Sequence, residues 1–255
     1  MRNRLFAVIL ALLPLPASCT STPPKPAPAP AMSAGEAYER AIALRDANDY
    51  EGARGLLLYA AGKHHAEAQF ELGYWYLSGR GGVVDLPQAA QWIERAADQD
   101  QPDALRYVWQ LYFFGRGVPK DIAKALIWLR RGAESGDAQL ALRLGVWLFD
   151  SAGDRQNALK YLKLAADHEP RACRYLAQAA LDDGNTRDAV YWLDKGANGG
   201  DAACQLGLGD CYRDGKGVAR SREKARACYK AAAAALGEPE ITKAARERLR
   251  ELDAE

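Results

Sequence analysis

A chain of 255 residues is long enough for one large domain or two small ones, and its 49% hydrophobic content is that of a globular protein, much of it alanine. Acidic and basic residues nearly cancel at a net +1; without Arg2 and Arg4 the balance would be 32 basic to 33 acidic residues. There is neither the basic excess of a nucleic-acid binder nor a long run of one charge sign to point to an oppositely charged partner.

Met1 to Arg4 is a short positive start, followed by the uninterrupted apolar run Leu5 to Leu13. The run is too short to span a bilayer as a helix, which needs about 20 residues. A basic start, a short apolar core and small residues at its end describe a secretory signal peptide over residues 1–18. The alternative, a buried N-terminal helix, is opposed by Pro14 and Pro16. The leader closes on Leu15-Pro16-Ala17-Ser18-Cys19, which resembles the lipobox of bacterial lipoproteins. That resemblance implies lipidation of Cys19 and, with Thr20 rather than Asp behind it, the periplasmic face of the outer membrane. Pro16 departs from the pattern, so ordinary cleavage to a soluble periplasmic or secreted protein stays open. Residues 19–33 are rich in proline, which fixes φ and favours extended polyproline II, a semi-rigid tether or a merely disordered start.

From Ala34 the chain repeats itself. Ala89-x-x-Trp92-Ile93-x-x-Ala96-Ala97 returns as Ala125-x-x-Trp128-Leu129-x-x-Gly132-Ala133, and again around Tyr161, Trp192 and Cys228, with an earlier copy around Leu56. Shared positions at i, i+3, i+4, i+7 and i+8 are the apolar stripe of an amphipathic helix. Four residues ahead of each copy stands Asp49, Asp85, Asp121, Asp154, Asn185 or Ser221, six side chains suited to cap a helix N-terminus. A partner helix precedes each of the later five copies, marked Leu72-Gly73, Val108-Trp109, Leu144-Gly145, Leu176-Ala177 and Leu208-Gly209. Gly79, Gly115 and Gly215 follow three of these, suited to a left-handed helix stop. The spacing predicts a first helix over 34–47 and a final capping helix over 241–252 with a charged outer face. The fold class is therefore all-α: a solenoid of about six helical hairpins with a C-terminal cap over residues 34–255.

The spacing, caps and turns together resemble the Sel-one-like repeats, relatives of the tetratricopeptide repeats, most clearly in Gly115-Arg116-Gly117-Val118-Pro119-Lys120-Asp121 and Gly215-Lys216-Gly217-Val218. The two units ending near Asp167 and Asn198 lack that glycine turn, and Trp109 fills a place the family keeps small. The resemblance implies a right-handed superhelix acting as adaptor or scaffold, often in the cell envelope.

No catalytic constellation emerges: there is no nucleophile elbow, and Gly79-Arg80-Gly81-Gly82 lacks the lysine and Ser/Thr of a phosphate loop. His64, His65 and His168 lack zinc-ligand spacing and read as solvated loop residues, so neither a metal nor a cofactor is expected. Cys211 and Cys228 lie on the two helices of one hairpin. In an oxidising periplasm they could form a disulfide; the alternative is two small buried residues.

The resemblance implies that first helices line the concave, partner-binding face. On them the stripe three before and one after the small mark runs through Phe70 and Tyr74, Arg106 and Gln110, Leu142 and Val146, Arg174 and Gln178, then Leu206 and Asp210. Aromatics beside arginines are the chemistry of interface hot spots, which nominates Phe70, Tyr74, Arg106, Gln110, Arg174 and Gln178. The expected function is a non-enzymatic, lipid-anchored envelope scaffold binding another envelope protein, with no nucleic acid and no membrane contact beyond the lipid. The alternative is a peptidoglycan- or polysaccharide-binding module.

Overall fold

The structure, a computed structural model, describes residues 32–80 and 82–254. The signal peptide, Cys19 and all but the last two residues of the tether lie outside the described residues.

Among those residues every regular element is helical. Six hairpins follow one another: α1 (Ala34–Asp46) with α2 (Tyr50–Gly62), α3 (Ala66–Ser78) with α4 (Leu86–Ala97), α5 (Pro102–Phe114) with α6 (Ile122–Glu134), α7 (Ala138–Trp147) with α8 (Arg155–Ala165), α9 (Arg171–Asp182) with α10 (Thr186–Asn198), and α11 (Ala202–Asp214) with α12 (Arg222–Ala233). A last helix, α13 (Pro239–Ala254), closes the stack on α12 and α11. Each helix packs on its neighbours in sequence, as a solenoid requires.

The local chemistry explains where helices begin. All six predicted caps accept a backbone N–H in the first turn: Asp49 from Gly52, Asp85 from Gln88, Asp121 from Lys124, Asp154 from Asn157, Asn185 from Asp188 and Ser221 from Lys224. The first helices α3, α5, α7 and α11 have side-chain caps too. His65 accepts the Ala68 N–H through Nδ1 and stacks on Tyr38 at 4.9 Å, so it is a structural residue and not the solvated loop histidine expected. Glycines 79, 115 and 215 adopt the left-handed stop, φ near +72°. The two middle units stop their first helices differently: a π turn (Leu148–Ala152) extends α7 as far as Gly153, and Gly184 follows α9, both at positive φ.

Small residues bring the helices of a hairpin together. A Cβ at Gly145 would lie 2.8 Å from Leu162 Cγ, and one at Gly209 would lie 2.5 Å from the Tyr229 ring. The core runs as one apolar cluster from Ala90 to Cys211, with Tyr229 and Leu252 anchoring the C-terminal cap. It takes in more of the first helices than the sequence indicates. The position two beyond the small mark is also buried, at Trp75, Leu111, Ala179 and Cys211, because it packs between successive units. Arg246, Glu247, Arg250 and Glu251 form the exposed face of the cap.

Of the two readings left open for Cys211 and Cys228, the structure has no bridge: all four cysteines among the described residues are free. Helical geometry gives the reason. Gly209 is the residue of α11 that meets α12, against the ring of Tyr229. Cys211 stands two residues away, roughly 200° around the helix, and Cys228 is roughly 100° from Tyr229. Burial, together with the Asp194 charge of α10, pushes the Cys228 thiol up.

Among the described residues no helix is long and apolar enough to cross a membrane.

Candidate functional site

The odd-numbered helices form one face of the stack, where α7 touches α9 and α9 touches α11 across units. The six nominated residues lie along it in two different settings. Phe70 and Tyr74 come together with Tyr107 of the next unit, ring centroids 5.7 to 6.4 Å apart. All three are half-buried, so this aromatic cluster joins α3 to α5.

The arginines are tied into the stack. Arg106 Nε donates to Asp137 at 2.6 Å, and Asp137 at the same time caps α7 by accepting from Gln139 and Leu140. Those bonds raise the Arg106 guanidinium above its ordinary value. Arg174 repeats the arrangement two hairpins later, donating to the buried cap residue Asp201 and to Glu238 before α13. Burial works to lower Arg174, but these bonds outweigh it. Gln110 donates to the Arg106 backbone oxygen and Gln178 to Asp182. Arg106 and Arg174 are thus staples between successive units, each holding the N-terminus of the next first helix.

A cleft opens further along this face. It encloses about 530 Å³ between α5, α7 and α9. Trp109, Phe113, Trp147 and Tyr175 supply its aromatic walls, with Leu142 and Val146 at its floor and the largely exposed Phe114 at its edge. Four charged side chains also line it: Arg143, Asp150, Glu169 and Arg171.

Trp109 makes the cleft what it is. Elsewhere its position is glycine or alanine, which lets a hairpin close; here an indole is 8% exposed against the second helix's neighbourhood and lines the cleft beside Leu129. The Arg143 guanidinium lies 5.3 Å from its ring. Its Nε1–H is buried with no acceptor, one of two such side-chain atoms among the described residues, the other being in Trp128. A donor left in that state costs roughly 1–3 kcal/mol.

The sequence signalled part of this through the misfit of Trp109 and through Leu142, Val146 and Phe114. It missed Trp147, Tyr175, Arg143 and Arg171, because a cleft formed by three units has no signature within any one of them.

No cluster of three or more His, Cys, Asp or Glu side chains that could hold a metal ion occurs among the described residues. The most connected polar group outside the face is Glu94, Tyr112 and Lys124. Lys124 Nζ lies 2.6 Å from the Tyr112 hydroxyl and 2.5 Å from Glu94, and the Tyr112 hydroxyl donates to Glu94 at 2.8 Å. Partial burial works to lower Lys124, yet its bonds to Glu94 and Tyr112 leave it pushed up to about 12. Other tyrosines make comparable bonds between helices, Tyr161 of α8 to Glu134 of α6 and Tyr229 of α12 to Asp210 of α11, so such bonds are architectural.

Known proteins share this architecture. The Sel1 repeat matches at residues 66–101, 110–137, 138–170, 170–201 and 202–235. A stretch of 68 residues is 38% identical to the Sel1-repeat-containing protein YjcO of Escherichia coli (strain K12), covering 26% of this chain and 30% of that protein. The chain thus matches less than a third of that relative's length. A Sel1 repeat protein from Oxalobacter formigenes superposes with a TM-score of 0.61 at 29% identity, over 77% of this chain and 82% of that one. The antigen c5321 of uropathogenic Escherichia coli strains, which displays the same repeat fold, gives a TM-score of 0.49 at 22% identity over 79% of this chain and 54% of its own. With capped hairpins, glycine turns and five matched repeats in register, the chain belongs to the Sel1 repeat family.

Proposed function

We propose that this chain is a non-enzymatic adaptor that binds a partner protein in the cleft between α5, α7 and α9, and that a lipid on Cys19 holds it at the periplasmic face of the outer membrane. The Sel1 repeat fold is commonly a scaffold for protein–protein interaction and generally non-catalytic. The cleft itself is the observation that carries the reading. Pockets that bind ligands are concave, mostly apolar and set with a few polar groups, and aromatic residues with arginine dominate interface energetics. The Phe70–Tyr74–Tyr107 cluster extends the same face toward the N-terminus. The anchor rests on the lipobox-like Ala17-Ser18-Cys19 and the proline-rich stretch behind it.

The test is crosslinking in intact cells with membrane fractionation, comparing wild type, Cys19→Ala and Trp147→Ala. Wild type should sediment with outer membrane and capture one dominant protein. Cys19→Ala should release the chain from the membrane, and Trp147→Ala should lose the partner while keeping the anchor. If Cys19→Ala fractionates like wild type, the anchor is wrong. If Trp147→Ala captures the partner undiminished, the cleft is not the docking site. Retention on peptidoglycan with no protein captured would favour the carbohydrate-binding reading, for which the aromatic walls provide stacking faces.

A further inference from the structure

We infer that the cleft is built for an extended peptide segment that places a bulky apolar side chain beside an acidic one, the carboxylate being held by Arg143 and Arg171. This inference rests on the proposed docking role of the cleft and specifies the chemistry of its occupant.

Three observations support it. The first is the contrast between arginines. Arg106 and Arg174 on this face are committed, Arg106 to Asp137 and Arg174 to Asp201 and Glu238. Among the described residues, Arg143 and Arg171 are the guanidiniums of the cleft and neither takes part in an ion pair. Arg143 is held over the indole of Trp109, which fixes its position without neutralising its charge. Second, both guanidiniums are on exposed side chains, open to a ligand in the cleft. Two guanidiniums outside any ion pair in one aromatic cleft favour an anionic, hydrogen-bond-accepting ligand group.

The third observation is polarity along the cleft. Arg171 lies in the first turn of α9, where the partial positive charge of the helix N-terminus adds to its own, and Arg143 lies midway along α7. Phe113 and Phe114 end α5 at the opposite side, and Asp150 lies on the π turn, about 10 Å beyond Arg143 along the axis. Glu169 precedes α9 and lies beside Arg171 in sequence without neutralising it. The cleft therefore offers a cationic end and an aromatic end, a spacing spanned by two or three residues of extended chain at about 3.3 Å each. The carboxylate comes from a side chain, because the cleft opens to solvent along its length and a chain can pass through it.

The test uses the full chain and an array of nonapeptides, acetylated and amidated so that no terminal charge remains. Each carries one Glu and one Phe at varied separation in an alanine–serine background, with matched Glu→Gln, Glu→Lys and Phe→Ala versions and a free-acid set. Fluorescence anisotropy gives the affinities. Glu–Phe peptides should bind best at one or two separations. Glu→Gln, Phe→Ala and the double variant R143Q/R171Q should each weaken binding at least tenfold, with the helical circular dichroism of the variant unchanged. Indifference to Glu→Gln, preference for lysine, preference for the free-acid set, or no peptide binding at all would each overturn the inference. A photo-crosslinking amino acid at position 142 in cells separates the two failures. Capture of protein there leaves the docking role standing without the charge assignment, and its absence removes both.

Discussion

At Gly117 the backbone turns with φ +75°, and a Cβ there would sit 2.1 Å from the carbonyl oxygen of Leu86 in the preceding unit. Gly217 repeats the contact against Thr186. In the Gly115 and Gly215 turns the second glycine is thus an interlock between units as well as a turn residue. Gly117→Ala should lose at least about 2 kcal/mol, from left-handed strain plus displacement of the loop. Gly55 gives a control of opposite sign. It is exposed in the middle of α2 with nothing near its Cβ position, so Gly55→Ala should gain about 0.5–1 kcal/mol. Urea denaturation of both variants checks the pair; equal effects would refute the interlock.

At the scale of the helix, the N-termini of α7 and α11 are secured twice. Asp201 caps α11 through the Cys204 N–H and also receives Arg174 from the unit before, with its carboxylate buried. Asp201→Ala removes both contacts and should cost roughly 2–4 kcal/mol, whereas Asp201→Asn keeps the cap and should cost less than half of that. A midpoint shift for Asp201→Asn equal to that for Asp201→Ala would show that the ion pair, not the cap, carries the effect. Lys124 gives a pH signature. Its folded pKa of about 12 lies above its ordinary 10.5, so its contribution is complete below 10.5 and is lost as pH rises through 12. The difference in thermal midpoint between wild type and Lys124→Met should be constant up to about pH 10 and shrink above it. A difference that stays constant to pH 12 would remove the coupling to Glu94 and Tyr112.

The same scale shows what a sequence discloses. All six second-helix caps were legible because capping is local: one side chain and the amides three residues on. The end of α7 was not, because a π turn depends on how Leu148 packs into the core and not on a residue type. The freedom of Arg143 and Arg171 was equally hidden. Arg106 and Arg174 look the same in sequence, and only the positions of Asp137 and Asp201 across the unit boundary separate a staple from an available cation.

Across the whole molecule the joints are unequal. The glycine interlocks fasten α5–α6 to α4 and α11–α12 to α10, while α8 and α9 meet over the smallest shared face of any successive pair. Stability in a solenoid is close to a sum of unit and interface contributions, so the weakest interface is where it divides. Native-state hydrogen exchange should resolve two cooperative blocks, residues 34–165 and 171–254, the two differing in opening free energy. One common value for all core amides would contradict this.

That joint passes beneath the cleft, whose walls belong to α5 and α7 on one side and α9 on the other. If the two blocks open separately, the molecule behaves mechanically as two rods meeting at a softer seam, with the cleft as the mouth of the seam. A segment lodged there acts as a splint: it need not reshape either rod to make the pair behave as a single beam. Occupancy would then be transmitted along the chain as rigidity, and pulling on the tethered end would load an occupied adaptor as one body and an empty one as two.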